Sequence, residues 1–144
     1  MDLRLIARIA RALDKARIPY MLIGGQAAAL RGRPRFTDDV DVSLGLGADR
    51  WELVHKIIRQ LKMRPAIASD ELDAFVRQTL MLPCDDARTG VRIDFAFTLF
   101  EFERQAIARA RKVLLAGYRV RVASAEDLIV LKVIAGRPVD MQDV

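Results

Sequence analysis

The sequence has very few of the residues that build disulfides and zinc sites. Its 144 residues include one cysteine, Cys84, and one histidine, His55. A single thiol cannot form an internal disulfide, and a zinc site made of the usual nitrogen and sulfur ligands is nearly excluded. Any bound metal ion must therefore be held by oxygen atoms.

Long apolar runs are also missing. No apolar segment reaches the roughly 20 residues that a membrane-spanning helix needs, and the amino terminus begins an amphipathic pattern rather than a signal peptide. The length suits a single core, so we expect one cytoplasmic domain over residues 1–144. A helix that starts near Asp140 would stop one turn later at Val144, which favours a natural chain that continues further.

The basic residues outnumber the acidic ones. There are 24 Lys and Arg against 19 Asp and Glu, for a net charge of +5. Most of the cations are arginine, which binds phosphate in a bidentate way and so favours a nucleotide or nucleic-acid partner. A GC-rich genome or simple solubility explains the arginines equally well. The first helix carries a basic stripe, for which a solvated outer face is the favoured explanation over a nucleic-acid grip.

Hydrophobic periodicity predicts alternating helices and strands. We expect helices over 2–17, 26–30, 50–62, 100–110 and 124–135, and strands over 20–23, 40–44, 76–82, 91–97, 112–115 and 118–122. Pro83 is expected to close the strand 76–82, with Cys84 in an acidic turn where it has no partner. Ser124 is expected to cap the last helix, with an acid three residues on, as in a capping box.

The segment from Tyr20 to Asp41 contains a pattern that packing does not explain. An apolar run ends in Gly24-Gly25, and the chain later reaches Asp39-Val40-Asp41. In a strand the two carboxylates point to the same side, where like charges repel unless a cation lies between them. The pair therefore predicts a divalent metal ion.

The residues around this pair allow two interpretations. Gly24 and Gly25 expose backbone N–H groups that a ligand phosphate can approach, but a tight turn with no ligand is the favoured alternative. Arg35 and Thr37 either hold the triphosphate of a nucleotide or only offset the charge of the carboxylates.

Two further charged residues lie in apolar surroundings. Asp94 stands between Ile93 and Phe95, where an aspartate buried without a counter-ion is costly. If its strand lies beside Asp39 and Asp41, Asp94 becomes a third ligand and the cluster can hold two metal ions. The alternative is a structural aspartate that caps a loop. Lys132, in the apolar last helix, either has a role at the site or extends its charge to the surface.

Together these residues resemble the nucleotidyltransferase superfamily with the polymerase-beta-like fold. The shared pattern is an apolar strand, Gly-Gly, an Asp-x-Asp after a gap, and a third acid on a neighbouring strand. Here it comprises Gly24-Gly25, Asp39-Val40-Asp41 and Asp94. The resemblance implies an α/β (α+β) fold in which a mixed, twisted sheet is flanked by helices.

Within the superfamily, the sequence is most similar to minimal bacterial nucleotidyltransferases of the AbiEii-like group, which include toxins of toxin–antitoxin pairs. The first motif is Gly-Gly-x-Ala followed by Arg35-x-Thr37-x-Asp39-x-Asp41. The second comprises Lys132 and the tail Arg137-x-x-Asp140-x-x-Asp143. An evident carboxyl-terminal helical domain is missing from the pattern.

The resemblance implies a Mg²⁺-dependent enzyme that moves a nucleoside monophosphate from an NTP to an acceptor hydroxyl of RNA, such as tRNA, of a protein or of a small molecule. Asp39, Asp41 and Asp94 would bind two Mg²⁺ ions, with Asp94 as a ligand or general base. Further residues would bind the nucleotide or position those that do: Gly24, Gly25, Arg35, Thr37, Lys132, Asp140 and Asp143. An antitoxin protein is an implied partner, and a catalytically inactive nucleotide- or partner-binding relative is the alternative.

Overall fold

The computed structural model describes residues 2–30 and 39–135, with only the backbone of Ala28, Lys132, Ile134 and Ala135. Every helix in these ranges is too short or too polar to cross a bilayer. The helices are α1 (Leu3–Lys15), α2 (Gly24–Leu30), α3 (Trp51–Gln60), α4 (Leu72–Thr79), α5 (Glu101–Ala108) and α6 (Ala125–Ala135), and a 3₁₀ turn covers Ala48–Arg50. The strands are β1 (Tyr20–Ile23), β2 (Val40–Leu44), β3 (Met63–Pro65), β4 (Met81–Asp86), β5 (Arg92–Phe97), β6 (Arg111–Leu115) and β7 (Tyr118–Val122).

The seven strands form one mixed sheet in the order β3-β4-β5-β2-β1-β7-β6. β2 lies at its centre, antiparallel to β1 and parallel to β5. β1 is also parallel to β7, and the remaining pairs are antiparallel. The expected mixed sheet flanked by helices is therefore confirmed.

Helix α1 covers one face of this sheet. It begins at Leu3 because the carboxylate of Asp2 accepts a hydrogen bond of 3.0 Å from the N–H of Leu5. Its buried side chains Ile6 and Ile9 lie with Leu22 and Val42 around one small void. Because side chains alternate along a strand, Asp41 lies on the opposite face of β2 from Val42.

The strand predicted over residues 76–82 is wrong. Val76 to Thr79 belong to α4, which ends at Leu80 in a left-handed conformation (φ 59°), and the strand is β4, from Met81 to Asp86. Pro83 is therefore inside a strand rather than at its end. Its carbonyl accepts the N–H of Ala66, so its main-chain polar groups face the side where β3 has just ended at Pro65. The missing N–H of proline consequently costs no ladder hydrogen bond there.

Cys84 was also misplaced in the sequence interpretation. It is fully buried in β4, and its thiol donates a hydrogen bond of 3.4 Å to the carbonyl of Ile93. Burial raises the pKa of the thiol to about 12, and the nearby charges of Asp94 and Asp85 act in the same direction. The run over 81–86 alternates too weakly between apolar and polar residues to be recognised as a strand.

Several other boundaries agree with expectation. β1 and β2 span the predicted residues, whereas α2 begins at Gly24, earlier than predicted. The hydroxyl of Ser124 accepts the N–H of Asp127 at 3.1 Å and so caps α6. The carboxylate of Asp127 instead accepts two hydrogen bonds from Arg109, at 2.7 and 3.1 Å, and this pair ties the end of α5 to the start of α6.

The core prediction concerns Phe95, which is 1% exposed in β5, with Phe100, 65% exposed, as its matched control. We expect Phe95→Ala to lower the free energy of unfolding by about 3–5 kcal/mol, because it removes a buried ring and leaves a cavity. Phe100→Ala should change it by about 0.5 kcal/mol or less. Urea unfolding measures both, and similar losses in the two variants would contradict this packing.

The Arg109–Asp127 pair predicts a dependence of stability on pH. Hydrogen bonds from Arg109 lower the pKa of Asp127 below its usual 3.8. The stabilisation that this pair gives the folded state is fully present above the pKa of Asp127 in the unfolded chain. It is lost as the pH falls through the lower pKa that Asp127 has in the folded state. We expect the difference in unfolding free energy between wild type and Asp127→Asn to shrink below about pH 4. The exposed Asp70→Asn serves as control, and a difference that stays constant down to pH 2 would contradict the pairing.

Candidate active site

Two of the predicted carboxylates lie side by side at the centre of the sheet. β2 and β5 pair in parallel so that Asp41 is directly opposite Asp94. Neighbouring strands are about 4.8 Å apart, and residues opposite each other in a parallel pair share a face. Both side chains are half-buried, on the face of the sheet opposite α1. The strand of Asp94 thus lies beside that of Asp41, which is the condition on which the hypothesis of a third carboxylate ligand depends.

The glycine turn touches this pair. Gly24, which directly follows β1, has φ +73°, and a Cβ atom built on it would lie 2.2 Å from Oδ2 of Asp41. A residue with a side chain would therefore clash with the carboxylate and also adopt an unfavourable backbone conformation. Glycine at this position is explained by the close approach of Asp41.

Arg92 is a charged partner that the sequence interpretation missed. Its Nε donates a hydrogen bond of 3.0 Å to Oδ1 of Asp94, and the side chain of Asp94 is only 21% exposed. This hydrogen bond raises the pKa of Arg92, as do the nearby charges of Asp94, Asp85 and Asp39. The guanidinium is therefore the counter-ion that a half-buried Asp94 requires. The alternation Arg92-Ile93-Asp94 was the available signal, because it places both charges on one face.

The donor atoms of this site fit a hard divalent cation. Carboxylate oxygens are the ligands that Mg²⁺ prefers, and Asp41 and Asp94 present them from adjacent strands. Asp39 is exposed immediately before β2, near enough for its charge to act on Arg92. As placed in residues 2–30 and 39–135, no group of three His, Cys, Asp or Glu side chains is gathered tightly enough to hold a metal ion. The three-carboxylate metal site stays a prediction.

The other predicted site residues fall mostly beyond what the structure describes. Gly25 is buried in the first turn of α2. Lys132 belongs to α6, but its side chain lies outside the described residues. The predictions for Arg35, Thr37, Asp140 and Asp143 also lie outside them.

Substituting Gly24 tests the contact with Asp41, and Gly90 provides a matched control. Both glycines have φ +73°, but a Cβ atom on Gly90 meets nothing within 4 Å. Gly90→Ala should cost about 1–2 kcal/mol of unfolding free energy, because only the backbone is strained. Gly24→Ala should cost about 1–3 kcal/mol more, because the methyl group also clashes with the carboxylate. Equal losses in urea unfolding would refute the contact.

Comparison with known proteins supports the same architecture. No protein-family model and no curated protein sequence matches the chain. Among solved structures, the antibiotic-resistance factor ANT(2'')-Ia is similar over 96% of this chain and 75% of its own, with a TM-score of 0.62 and 24% identity. It has also been solved in complex with adenylyl-2''-tobramycin.

Two proteins from Thermotoga maritima extend the comparison. A candidate nucleotidyltransferase is similar over 97% of this chain and 88% of its own, with a TM-score of 0.62 and 16% identity. The CCA-adding enzyme, solved with tRNA, is similar over 90% of this chain and 30% of its own, with a TM-score of 0.55 and 15% identity. The chain therefore has the nucleotidyltransferase fold.

Proposed function

We propose that this protein is a metal-dependent nucleotidyltransferase that moves a nucleoside monophosphate from an NTP to an acceptor hydroxyl. The observation that carries the proposal is the pairing of Asp41 with Asp94 on adjacent parallel strands, with Gly24 against the carboxylate of Asp41. This arrangement occurs in a fold shared with a factor that has been solved with an adenylylated antibiotic.

Asp39, Asp41 and Asp94 are the residues that would hold Mg²⁺, with two ions expected. When bound, Mg²⁺ supplies positive charge that stabilises the phosphoryl group being transferred. The carboxylates themselves keep the site anionic, so a triphosphate alone is repelled. Binding of nucleotide and cation should therefore be coupled.

The transfer needs a proton acceptor and cations that hold phosphate. The acceptor oxygen forms a bond to the α-phosphorus, the bond to pyrophosphate breaks, and the hydroxyl proton passes to a carboxylate, for which we propose Asp94. Arg92 orients Asp94 through its hydrogen bond of 3.0 Å and is itself a phosphate-binding group. Gly24 and Gly25 would offer backbone N–H groups to the nucleotide phosphates, as the family resemblance implies.

Other assignments rest on the resemblance alone. Arg35 and Thr37 would hold the triphosphate, Lys132 would reach the nucleotide or the carboxylates, and Asp140 and Asp143 would position Lys132. A role as the toxin of a toxin–antitoxin pair, acting in the cytoplasm and neutralised by an antitoxin protein, belongs to the same proposal.

The acceptor is the part of the proposed reaction that the structure constrains least. One protein of similar fold has been solved with a modified antibiotic and another with tRNA, so both a small molecule and RNA are acceptors that the fold accommodates. The pI of about 9.9 favours an anionic acceptor, and we propose RNA.

A catalytically inactive nucleotide-binding relative is the second candidate. The specific observation in its favour is the Arg92–Asp94 ion pair, because the guanidinium occupies a carboxylate oxygen that a metal ion would need. This candidate predicts nucleotide binding without pyrophosphate release. Calorimetry combined with a pyrophosphate assay on the same sample separates the two.

The activity prediction uses α-labelled NTPs, Mg²⁺ and total RNA. We expect Asp41→Asn and Asp39→Asn each to lower the rate of label transfer by at least about 10²-fold, since each loses a charge that stabilises the reacting phosphoryl group. Omission of Mg²⁺ should abolish transfer in the wild type.

The exposed Asp70→Asn is the matched control and should keep wild-type activity, because Asp70 lies in the loop before α4. Circular dichroism and urea unfolding of all three variants identify any that fail to fold. Folded Asp39 and Asp41 variants that transfer label at the wild-type rate would rule out the proposed site.

A further inference from the structure

A groove lies at the end of the central strands opposite the carboxylates. Pro19 precedes β1 and Gly45 follows β2, and the N–H of Gly45 donates a hydrogen bond of 2.7 Å to the carbonyl of Pro19. Asp41 lies at the other end of the same strand pair, opposite Ile23. The two ends are four residues, or about 13 Å, apart along the strands.

Two cavities meet at this hydrogen bond. One, of about 490 Å³, lies between α1, α5 and β7 and is lined by Arg17, Arg104 and Arg121, with Asp14 as its acidic residue. The other, of about 380 Å³, lies beside α3 and is lined by Arg17, Arg50 and Lys56. Because both include Arg17, Ile18, Pro19 and Gly45, they form a continuous basic groove, defined here by Arg17, Arg50, Lys56, Arg104 and Arg121.

Within the part of the chain that the structure describes, the five cations of the basic groove form no ion pair with a carboxylate. Arg77, Arg92 and Arg109 each form an ion pair elsewhere in the structure. Across 2–30 and 39–135, no ion pair joins a groove cation to an acid, and the carboxylate of Asp14 accepts a hydrogen bond from the hydroxyl of Tyr118. Five like charges around one groove repel one another and are unfavourable for folding. A bound anion would remove this repulsion.

We propose that the basic groove binds the phosphate backbone of a single-stranded nucleic acid. Four of its five cations are arginines, whose planar fork matches phosphate oxygens. The two joined cavities place these charges along a path, which suits successive phosphates better than a single anion. No aromatic residue is among the described residues that line the groove, so we expect it to follow the backbone without stacking bases. The same lack of aromatic anchors disfavours an acidic protein partner.

This binding is separate from the transfer reaction and does not require it. A few nucleotides span more than the roughly 13 Å between the groove and Asp41, so one strand can contact both. Whether the bound strand is also the acceptor rests on the proposed function. Binding measured without NTP tests the groove independently.

The experiment is a fluorescence-anisotropy titration of a labelled 15-nucleotide oligo-U RNA with the full chain, without NTP, over a series of salt concentrations. We expect log Kd to rise with log salt with a slope of about 3.5, because about 0.7 counterions are released for each of five neutralised phosphates. Lys56→Gln/Arg104→Gln removes one exposed helical cation from each half of the groove. It should lower the slope by about 1.4 and weaken binding at least about tenfold at low salt.

Lys62→Gln/Arg88→Gln is the matched control. Both residues are exposed, neither lines the groove, and the change in net charge is the same. The control should retain wild-type affinity within about twofold, and an equal loss in both double variants would overturn the proposal in favour of diffuse attraction.

Competitors identify the ligand class. Oligo-dT of the same length should bind with the same dependence on Lys56 and Arg104, because the groove contacts backbone phosphate. Poly-glutamate and inorganic triphosphate are compared with unlabelled oligo-U at equal concentration of charge. If either displaces the labelled RNA as effectively as oligo-U does, nucleic-acid backbone binding is refuted. The RNA titration contains no NTP, whereas the transfer assay follows label from NTP, so failure of the groove and failure of the transferase site are distinguishable.

Discussion

Strand β2 is hydrogen-bonded on both sides, antiparallel to β1 and parallel to β5, and this double pairing creates the site. The parallel partner brings Asp94 directly opposite Asp41, although more than fifty residues separate them in the chain. The antiparallel partner ends at Ile23, so that Gly24 reaches the carboxylate of Asp41. Two like charges held this closely need compensation, and Arg92 supplies part of it. The two carboxylates and the guanidinium therefore form one charged cluster at the centre of the sheet.

The two ends of the β1–β2 pair carry opposite charge. Carboxylates lie where β1 ends, and the five groove cations, which form no ion pair within the described residues, lie where it begins. A uniformly basic protein would attract nucleic acid over its whole surface, whereas the proposed groove gathers several cations at one end of this strand pair. An anionic substrate approaching the carboxylate end needs an additional cation to overcome repulsion. The charge distribution thus separates the region proposed to hold a polyanion from the region proposed to carry out phosphoryl transfer.

Parts of the fold and of the candidate site could be predicted from the sequence where the local pattern was strong. β1 and β2 followed from apolar periodicity. The cost of a buried charge singled out Asp94, but its place beside Asp41 was only a condition that the family resemblance implied. The prediction of a strand at Val76 was wrong, because a short helix such as α4 and a short apolar strand have similar hydrophobic patterns. Arg92 was missed because the alternation Arg92-Ile93-Asp94, which places both charges on one face of β5, was not used to pair them. The groove cations could not be grouped from the sequence, since they come from four separate parts of the chain and meet only in the folded structure.

The buried position of Cys84 makes the thiol a natural reporter of sheet integrity. It lies in β4, bonded to the carbonyl of Ile93, next along β5 to Asp94. With a pKa raised to about 12 it is almost entirely protonated at neutral pH and closed to reagents. Alkylation can therefore proceed only through an opening that exposes β4, on the side of β5 or on the side of β3 and α4. Because the chain has only this cysteine, the labelling rate measures how often this part of the sheet opens.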